Sequence, residues 1–207
     1  MEKEKVLNAL KKLREISKKR SFDQSVDLII VLRNINLKDP KMKINSPILL
    51  PHSSGKDKNV VVFSDSIKSD KFEVIDSKKI EEIGKDKKTA KKFAKSLDFS
   101  LSEPKLMTLV GRYLGRYLSP RGKMPQIITD MKSVEQRVEQ LKKSVRIRIK
   151  DSPVIQCKIG KESMKDEEIA ENALAVINFV IQHLPEGEAN VKKVYLKFTM
   201  SDIVEVA

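Results

Sequence analysis

The sequence predicts an α/β protein of two domains: a discontinuous antiparallel-sheet α+β domain made from both termini, and a Rossmann-like three-layer α/β domain inserted into it. Three observations lead there. Near the C-terminus Val194, Leu196 and Phe198 alternate with Tyr195, Lys197 and Thr199, the period of two of a half-buried strand. Near the N-terminus Phe22 to Leu32 reads as a second strand, and the first 57 residues hold too few partners to give it an independent core. Between them, short β-branched runs alternate with helical patterns, as in a mostly parallel sheet. The two terminal strands are therefore expected side by side. Residues 1–57 and 144–207 form one domain and 58–143 the insert, with a hinge expected at the two adjacent linkers.

Taken in order, Val6, Leu10, Leu13 and Ile16 recur at helical spacing and predict an amphipathic helix over Lys5 to Lys18. The strand from Phe22 follows. Asp39-Pro40 and Ser46-Pro47 punctuate an extended segment ending in Leu49-Leu50-Pro51-His52, and Ser53 to Lys58 has the polar, glycine-containing composition of a linker. Gly55-Lys56 is not a phosphate loop, because Leu50 and Asp57 stand where that pattern needs Gly and Ser or Thr. Val60-Val61-Val62-Phe63 and Phe72 to Ile75 read as strands of a sheet covered on both faces. Helices follow at Ser77 to Ile83 and at Thr89 to Leu97, the second with Ala90, Phe93, Ala94 and Leu97 inside and Lys88, Lys91, Lys92 and Lys95 outside.

Leu97 to Leu101 is a further strand, and Pro104 suits the first turn of a helix reaching Leu118. Gly111 and Gly115 on that helix are expected to admit a close neighbour. Ser119-Pro120 stops it, and Arg121-Gly122-Lys123-Met124-Pro125 is expected as an exposed, stiff basic turn. After a helix at Ser133 to Lys142, Val145, Ile147 and Ile149 alternate with Arg146, Arg148 and Lys150. With Val154 to Ile159 they suggest an antiparallel hairpin across Asp151-Ser152-Pro153. Asp166, Glu167 and Glu168 open a long helix whose stripe runs from Ile169 to Leu184, ended by Pro185 and Gly187. Strands at Val191 to Met200 and Ile203 to Val206 close the chain.

The charge narrows the function. A balance of 40% hydrophobic and 34% charged residues is that of a folded soluble protein, but the net charge is +13 and the pI about 9.7, with Lys and Arg spread along the chain. Such a surface attracts polyphosphate through counterion release, and charge by itself leaves an anionic membrane as the competitor. No run approaches the ~18 apolar residues of a membrane span, and the N-terminal segment lacks the apolar core of a signal peptide. Cys157 stands alone beside His52 and His183, so a cytosolic, metal-free and cofactor-free fold is expected. No nucleotide fingerprint, His-Glu-x-x-His or Gly-x-Ser-x-Gly elbow argues for an enzyme.

Four stretches in order, Ser21-Phe22-Asp23-Gln24-Ser25-Val26, Leu49-Leu50-Pro51-His52, Gly111-Arg112-Tyr113-Leu114-Gly115 leading into Pro120-Arg121-Gly122-Lys123-Met124-Pro125, and Tyr195 to Met200, resemble the large-subunit ribosomal protein L-one family in its archaeal form. The resemblance covers essentially the whole chain. It implies a monomer within the cytoplasmic ribosome that binds the stalk region of large-subunit rRNA beside the tRNA exit site, assists tRNA release, and represses translation of its own mRNA. It also implies an RNA-binding cluster of Phe22, Asp23, Gln24 and Ser25 on one strand with Lys197, Thr199, Met200 and Ser201 at the end of another. Ser201 and Ser119 stand where the family usually has glycine.

Read by themselves, Phe22 also fits an ordinary core ring, and Thr199 and Met200 also fit a strand end. A hydroxyl and a flexible thioether suit an irregular RNA minor groove. Arg121 and Lys123, flanked by prolines, are the insert's candidate phosphate contacts, and Gln156 with Lys158 extends the RNA surface along a shared strand face. The lysines of Thr89 to Leu97 read as a solvated face. The alternative function is a free-standing RNA-binding translational repressor or RNA chaperone using the same surface.

Overall fold

The computed structural model describes residues 2–37, 39, 42, 44–55, 58–67, 69, 71–128, 133–149 and 151–206. Pro40 of the expected turn, Lys56 and Asp57 of the linker, and Lys150 of the expected basic strand lie outside the described residues. Along the chain the elements are α1 (Lys3–Ile16), β1 (Ser25–Leu32), β2 (Asn45–Leu49), β3 (Val60–Phe63), β4 (Glu73–Ile75), α2 (Ser77–Lys85), α3 (Lys87–Ser96), β5 (Phe99–Ser102), α4 (Pro104–Tyr113), α5 (Gly115–Leu118), β6 (Gln126–Ile127), α6 (Val134–Lys142), β7 (Ser144–Arg148), β8 (Val154–Lys161), α7 (Asp166–His183), β9 (Val191–Phe198) and β10 (Ile203–Glu205). They fall into two compact units, Met1–Lys56 with Lys143–Ala207, and Asp57–Lys142. No described helix is long and apolar enough to cross a membrane.

In the terminal unit the alternation of β1 makes it the centre of an antiparallel sheet of order β10-β9-β1-β8. Leu28 pairs with Leu196 on one side and Cys157 on the other, so the terminal strands do lie side by side. Val26, Leu28, Ile30 and Leu32 of β1, with Val194, Leu196 and Phe198 of β9, turn inward onto a core shared with Val6, Leu10 and Leu13 of α1 and the apolar stripe of α7. Ile16, expected on that stripe, is exposed at the helix end. The chain leaves this unit under restraint. Asn172, fully buried on α7, accepts a hydrogen bond from the His52 N–H (2.9 Å) and donates to the carbonyls of His52 (3.0 Å) and Ile159 (2.8 Å).

The expected hairpin of β7 with β8 is corrected: β7 pairs antiparallel with β2 as a separate two-stranded ribbon, and β8 pairs with β1. Asp151-Ser152-Pro153 lacks the glycine that a tight two-residue hairpin turn usually carries. Instead the Pro153 carbonyl accepts from the Leu32 N–H at 2.8 Å, which sets the start of β8 against the end of β1. Pro47 sits within β2, whose only partner in the described sheet is β7, an edge position that tolerates a missing donor.

The inserted unit is a parallel sheet of order β4-β3-β5-β6 between two helical layers. All four residues of β3 are buried, Val61 and Phe63 against α2 to α5, Val60 and Val62 against α6. That is why the run is apolar throughout rather than alternating. Pro104 does occupy the first turn of α4, but the helix is interrupted at Leu114 before the short α5.

The close approach expected at Gly111 and Gly115 is absent, since a Cβ built on either meets nothing within 4 Å. At Gly84 a Cβ would lie 2.6 Å from the Tyr113 Cβ, so α2 and α4 meet there instead. Gly111→Ala is accordingly expected to raise the stability of the inserted unit by about 0.5–1 kcal/mol, the helix-propensity difference. Gly84→Ala is expected to lower it. Thermal melts of the two variants check both signs.

Candidate nucleic-acid interface

The N-terminal end of β1 and the C-terminal end of β9 meet at one edge of the terminal sheet, where Val26 pairs with Phe198. Here the strands stop earlier than expected. Phe22, Asp23 and Gln24 precede β1, while Thr199 and Met200 lie in the turn after β9. Phe22 is 50% and Met200 57% exposed, so neither is the ordinary core ring or buried strand end that local pattern allows. Two hydrogen bonds tie the segments together: the Ser25 N–H donates to Thr199 Oγ1 (3.0 Å), and the Met200 N–H to Gln24 Oε1 (3.1 Å). Gln24 is buried, and its Nε2 donates to Glu162 Oε2 at 3.1 Å.

Ser201 belongs to the same turn. Its hydroxyl accepts from the Phe198 N–H at 2.9 Å and donates to the Asp202 carbonyl at 2.8 Å, bonds a glycine cannot make. Its φ is not positive, so the family's glycine is not demanded by the backbone here. The Lys197 ammonium folds back onto the carbonyls of Ser201 (2.8 Å) and Thr199 (3.3 Å), bracing the turn that presents Met200.

A third segment, not foreseen from sequence, completes this edge. The turn from β8 into α7 brings Lys161, Glu162 and Ser163 against Asp23: Ser163 donates through its N–H (3.1 Å) and hydroxyl (2.9 Å), and Lys161 Nζ lies 3.4 Å away. Burial alone would raise the Asp23 carboxyl, but the Ser163 hydrogen bonds and the Lys161 charge hold it below the usual carboxylate range. Nothing in the local pattern of Lys161-Glu162-Ser163 marks it, because the contact spans 140 residues.

Arg14 of α1 fixes that turn from below. Its Nε donates to Asp166 Oδ1 (2.8 Å), its Nη1 to the Glu162 carbonyl (3.0 Å) and its Nη2 to the Met164 carbonyl (3.1 Å). Three divergent donors suit a guanidinium and not an ammonium. Arg14→Lys is therefore expected to lower stability by about 1–2 kcal/mol, from the hydrogen bonds that a charged donor no longer makes. RNA affinity should fall about threefold or more as the turn loosens, and comparing melting with RNA titration checks this.

Along the open face of the sheet, Asp27 stands across from Lys158 on β8 and Lys197 on β9. The three, with Ile29, Gln156 and Cys157, line a depression of about 300 Å3. Partial burial raises the Asp27 carboxyl against the pull of both lysines, so an acid occupies the middle of a basic face. Cys157, buried and beside Asp27, is pushed up to about 12 and is no nucleophile at neutral pH.

In the inserted unit Arg121 and Lys123 part company. Gly122, at φ +68°, ends the α5 turn with the Lys123 N–H donating to the Leu118 carbonyl (3.0 Å) and the Gly122 N–H to that of Ser119 (2.9 Å), a Schellman-like closure. Arg121 is exposed and reaches back to the Tyr117 carbonyl. Lys123 is turned inward, its ammonium donating to the carbonyls of Ala94 (3.1 Å), Lys95 (3.3 Å) and Leu97 at the end of α3. The expectation that both residues project from an exposed turn is thus corrected for Lys123. The negative end of the α3 dipole with its unfilled carbonyls is a better site for a cation than solvent.

Comparison with known proteins finds similarity along nearly the whole chain. Residues 10–202 match the model of the Ribosomal protein L1p/L10e family. The large ribosomal subunit protein uL1 of Pyrococcus horikoshii is 41% identical over 99% of this chain and 96% of its own. Those of Thermofilum pendens (43%, over 92% and 87%) and Methanocaldococcus jannaschii (38%, over 100% and 96%) are similar in extent. With a discontinuous sheet unit, an inserted parallel-sheet unit and full-length similarity of this kind, the chain belongs to the Ribosomal protein L1p/L10e family, as a non-enzymatic, structural protein of the large ribosomal subunit.

Proposed function

We propose that the edge formed by Phe22 to Ser25, Lys161 to Ser163 and Thr199 to Ser201 grips the folded stalk of large-subunit rRNA beside the tRNA exit site. There the protein assists tRNA release, and it represses its own mRNA by binding a stalk-like element with the same edge. One observation carries the reading: an exposed aromatic ring and an exposed thioether, Phe22 and Met200, sit on two segments that hydrogen bonds from the Ser25 N–H to Thr199 and from the Met200 N–H to Gln24 tie together at one edge. Such exposed groups on a braced edge suit a surface that reads RNA by shape through its shallow groove and 2′-hydroxyls. Lys158 and the depression around Asp27 extend the grip along the sheet, and Arg121 offers a weaker phosphate contact from the inserted unit.

The test is direct titration of the full chain with a stalk fragment of large-subunit rRNA and with an unrelated hairpin of equal length. Strong preference for the stalk is expected, and equal affinities would sink the reading. Retention on large subunits through high-salt sedimentation is expected as well. Loss of the protein from them, with stalk binding intact, favours the free-standing repressor or chaperone. Adding the chain's own mRNA leader as competitor for the stalk tests the shared surface.

A further inference from the structure

We propose that Met200 is a reversible oxidation site, where hydrogen peroxide converts the thioether to a sulfoxide and disables the RNA-gripping edge of any chain not yet seated on RNA. The consequence for RNA rests on the stalk reading above, whereas the choice of site rests on this chain alone. Five of the seven methionines lie among the described residues, and of these only Met200 is exposed, at 57%. The Met164 side chain packs against the terminal core and that of Met124 against the core of the inserted unit. Met107 is half-buried on α4. The Met42 sulfur accepts from the Asn36 N–H at 3.0 Å, which occupies one of its lone pairs. The single thiol does not compete, because Cys157 is buried and its pKa of about 12 leaves almost no thiolate for peroxide at neutral pH.

Oxidation of a buried methionine disrupts a core, whereas at Met200 it changes a surface. The turn that presents the thioether is fixed without it. The Met200 N–H donates to Gln24 Oε1 (3.1 Å), the Lys197 ammonium donates to the carbonyls of Ser201 (2.8 Å) and Thr199 (3.3 Å), and the Ser201 hydroxyl accepts from the Phe198 N–H (2.9 Å). None of these bonds involves the sulfur, so the fold survives the modification and only the binding surface is altered.

In the reaction a sulfur lone pair attacks one peroxide oxygen, the O–O bond breaks, an S–O bond forms and the other oxygen leaves as water. Sulfur loses two electrons and the peroxide gains them. A flexible apolar group thereby becomes a polar hydrogen-bond acceptor, and pressing that oxygen against RNA strips it of water. The way back is enzymatic: a sulfoxide reductase releases the oxygen as water while a dithiol is oxidised to a disulfide. RNA already bound covers Met200, so the modification reaches unassembled chains first.

The full chain is treated with dilute hydrogen peroxide, with and without a saturating stalk rRNA fragment, and followed by peptide mass spectrometry, thermal melting and RNA titration. Met200 should gain one oxygen several-fold faster than Met42, Met107, Met124 and Met164. The oxidised chain should bind the stalk fragment roughly tenfold more weakly, with an unchanged melt. The two methionine sulfoxide reductases, one for each epimer, should restore affinity with dithiothreitol as reductant. Met200→Leu, compared with itself before and after peroxide, should show no change in affinity. Equal rates at all five methionines overturn the proposal, as does an affinity loss that Met200→Leu shares, or one that the reductases leave in place. Complete conversion of Met200 to the sulfoxide with unchanged stalk affinity overturns it too, even where the fragment shields Met200 and the stalk reading stands. A saturating fragment that gives Met200 no shielding is the separate sign that the stalk reading has failed, and the proposal falls with it.

Discussion

Met200→Ala is expected to bind the rRNA stalk fragment roughly ten- to a hundredfold more weakly, because an apolar side chain buried on association is removed. Its own fold should hardly notice. The Met200 side chain is 57% exposed, and the residue's tie to Gln24 runs through its backbone N–H, which alanine keeps. Thr199→Ala is a less clean probe, because Thr199 Oγ1 is the acceptor for the Ser25 N–H and its removal also loosens the edge. Isothermal titration beside a thermal melt separates the two effects. An affinity within twofold of the natural chain would show that RNA does not rest on this turn.

Lys123→Met should destabilise the inserted unit by about 2–4 kcal/mol, since three carbonyls lose a charged donor at once and stay partly shielded from water. Arg121→Ala, two residues away on an exposed side chain, should stay within about 0.5 kcal/mol. Amide hydrogen exchange locates the effect: protection in α3 should collapse first in the Lys123 variant, before that of β1 or β9 in the other unit. Equal protection of α3 in both variants would mean that the ammonium contributes nothing there. The prediction also changes how Pro120 to Pro125 is understood. Gly122 supplies the left-handed residue that closes α5, and the lysine after it plugs the end of a neighbouring helix. The motif is in this part a folding device, while Arg121 alone remains open to a partner.

Much of the fold could be read from residue order because it rests on periodicity. Val194, Leu196 and Phe198 had to share a face, Val60 to Phe63 had to be covered twice, and Asp166 to Glu168 suited a helix start. The pairing of β7 was misjudged for the opposite reason. Alternation says that a strand has two faces but not which strand lies beside it, and β2 is almost a hundred residues away from β7 in the chain. The same limit hid Lys161 to Ser163, Arg14 and the inward turn of Lys123, each defined by long-range hydrogen bonds. Gly111 and Gly115 show the reverse error, where a residue type suggested a contact that the helix does not make.

Residue order alone was enough for the class of each unit, the basic character, the absence of local catalytic patterns, and, through ordered motifs, the family. Those properties follow from composition and from side-chain spacing along one element, and both are local. Which cations are free emerged only with the assembled fold. Lys123 and Lys197 are spent on backbone carbonyls, whereas the α3 lysines stand exposed with no acid paired against them among the described residues. A charge counts toward binding only after the fold has satisfied its own unpaired polar groups, and which groups those are depends on chain segments that meet only in three dimensions.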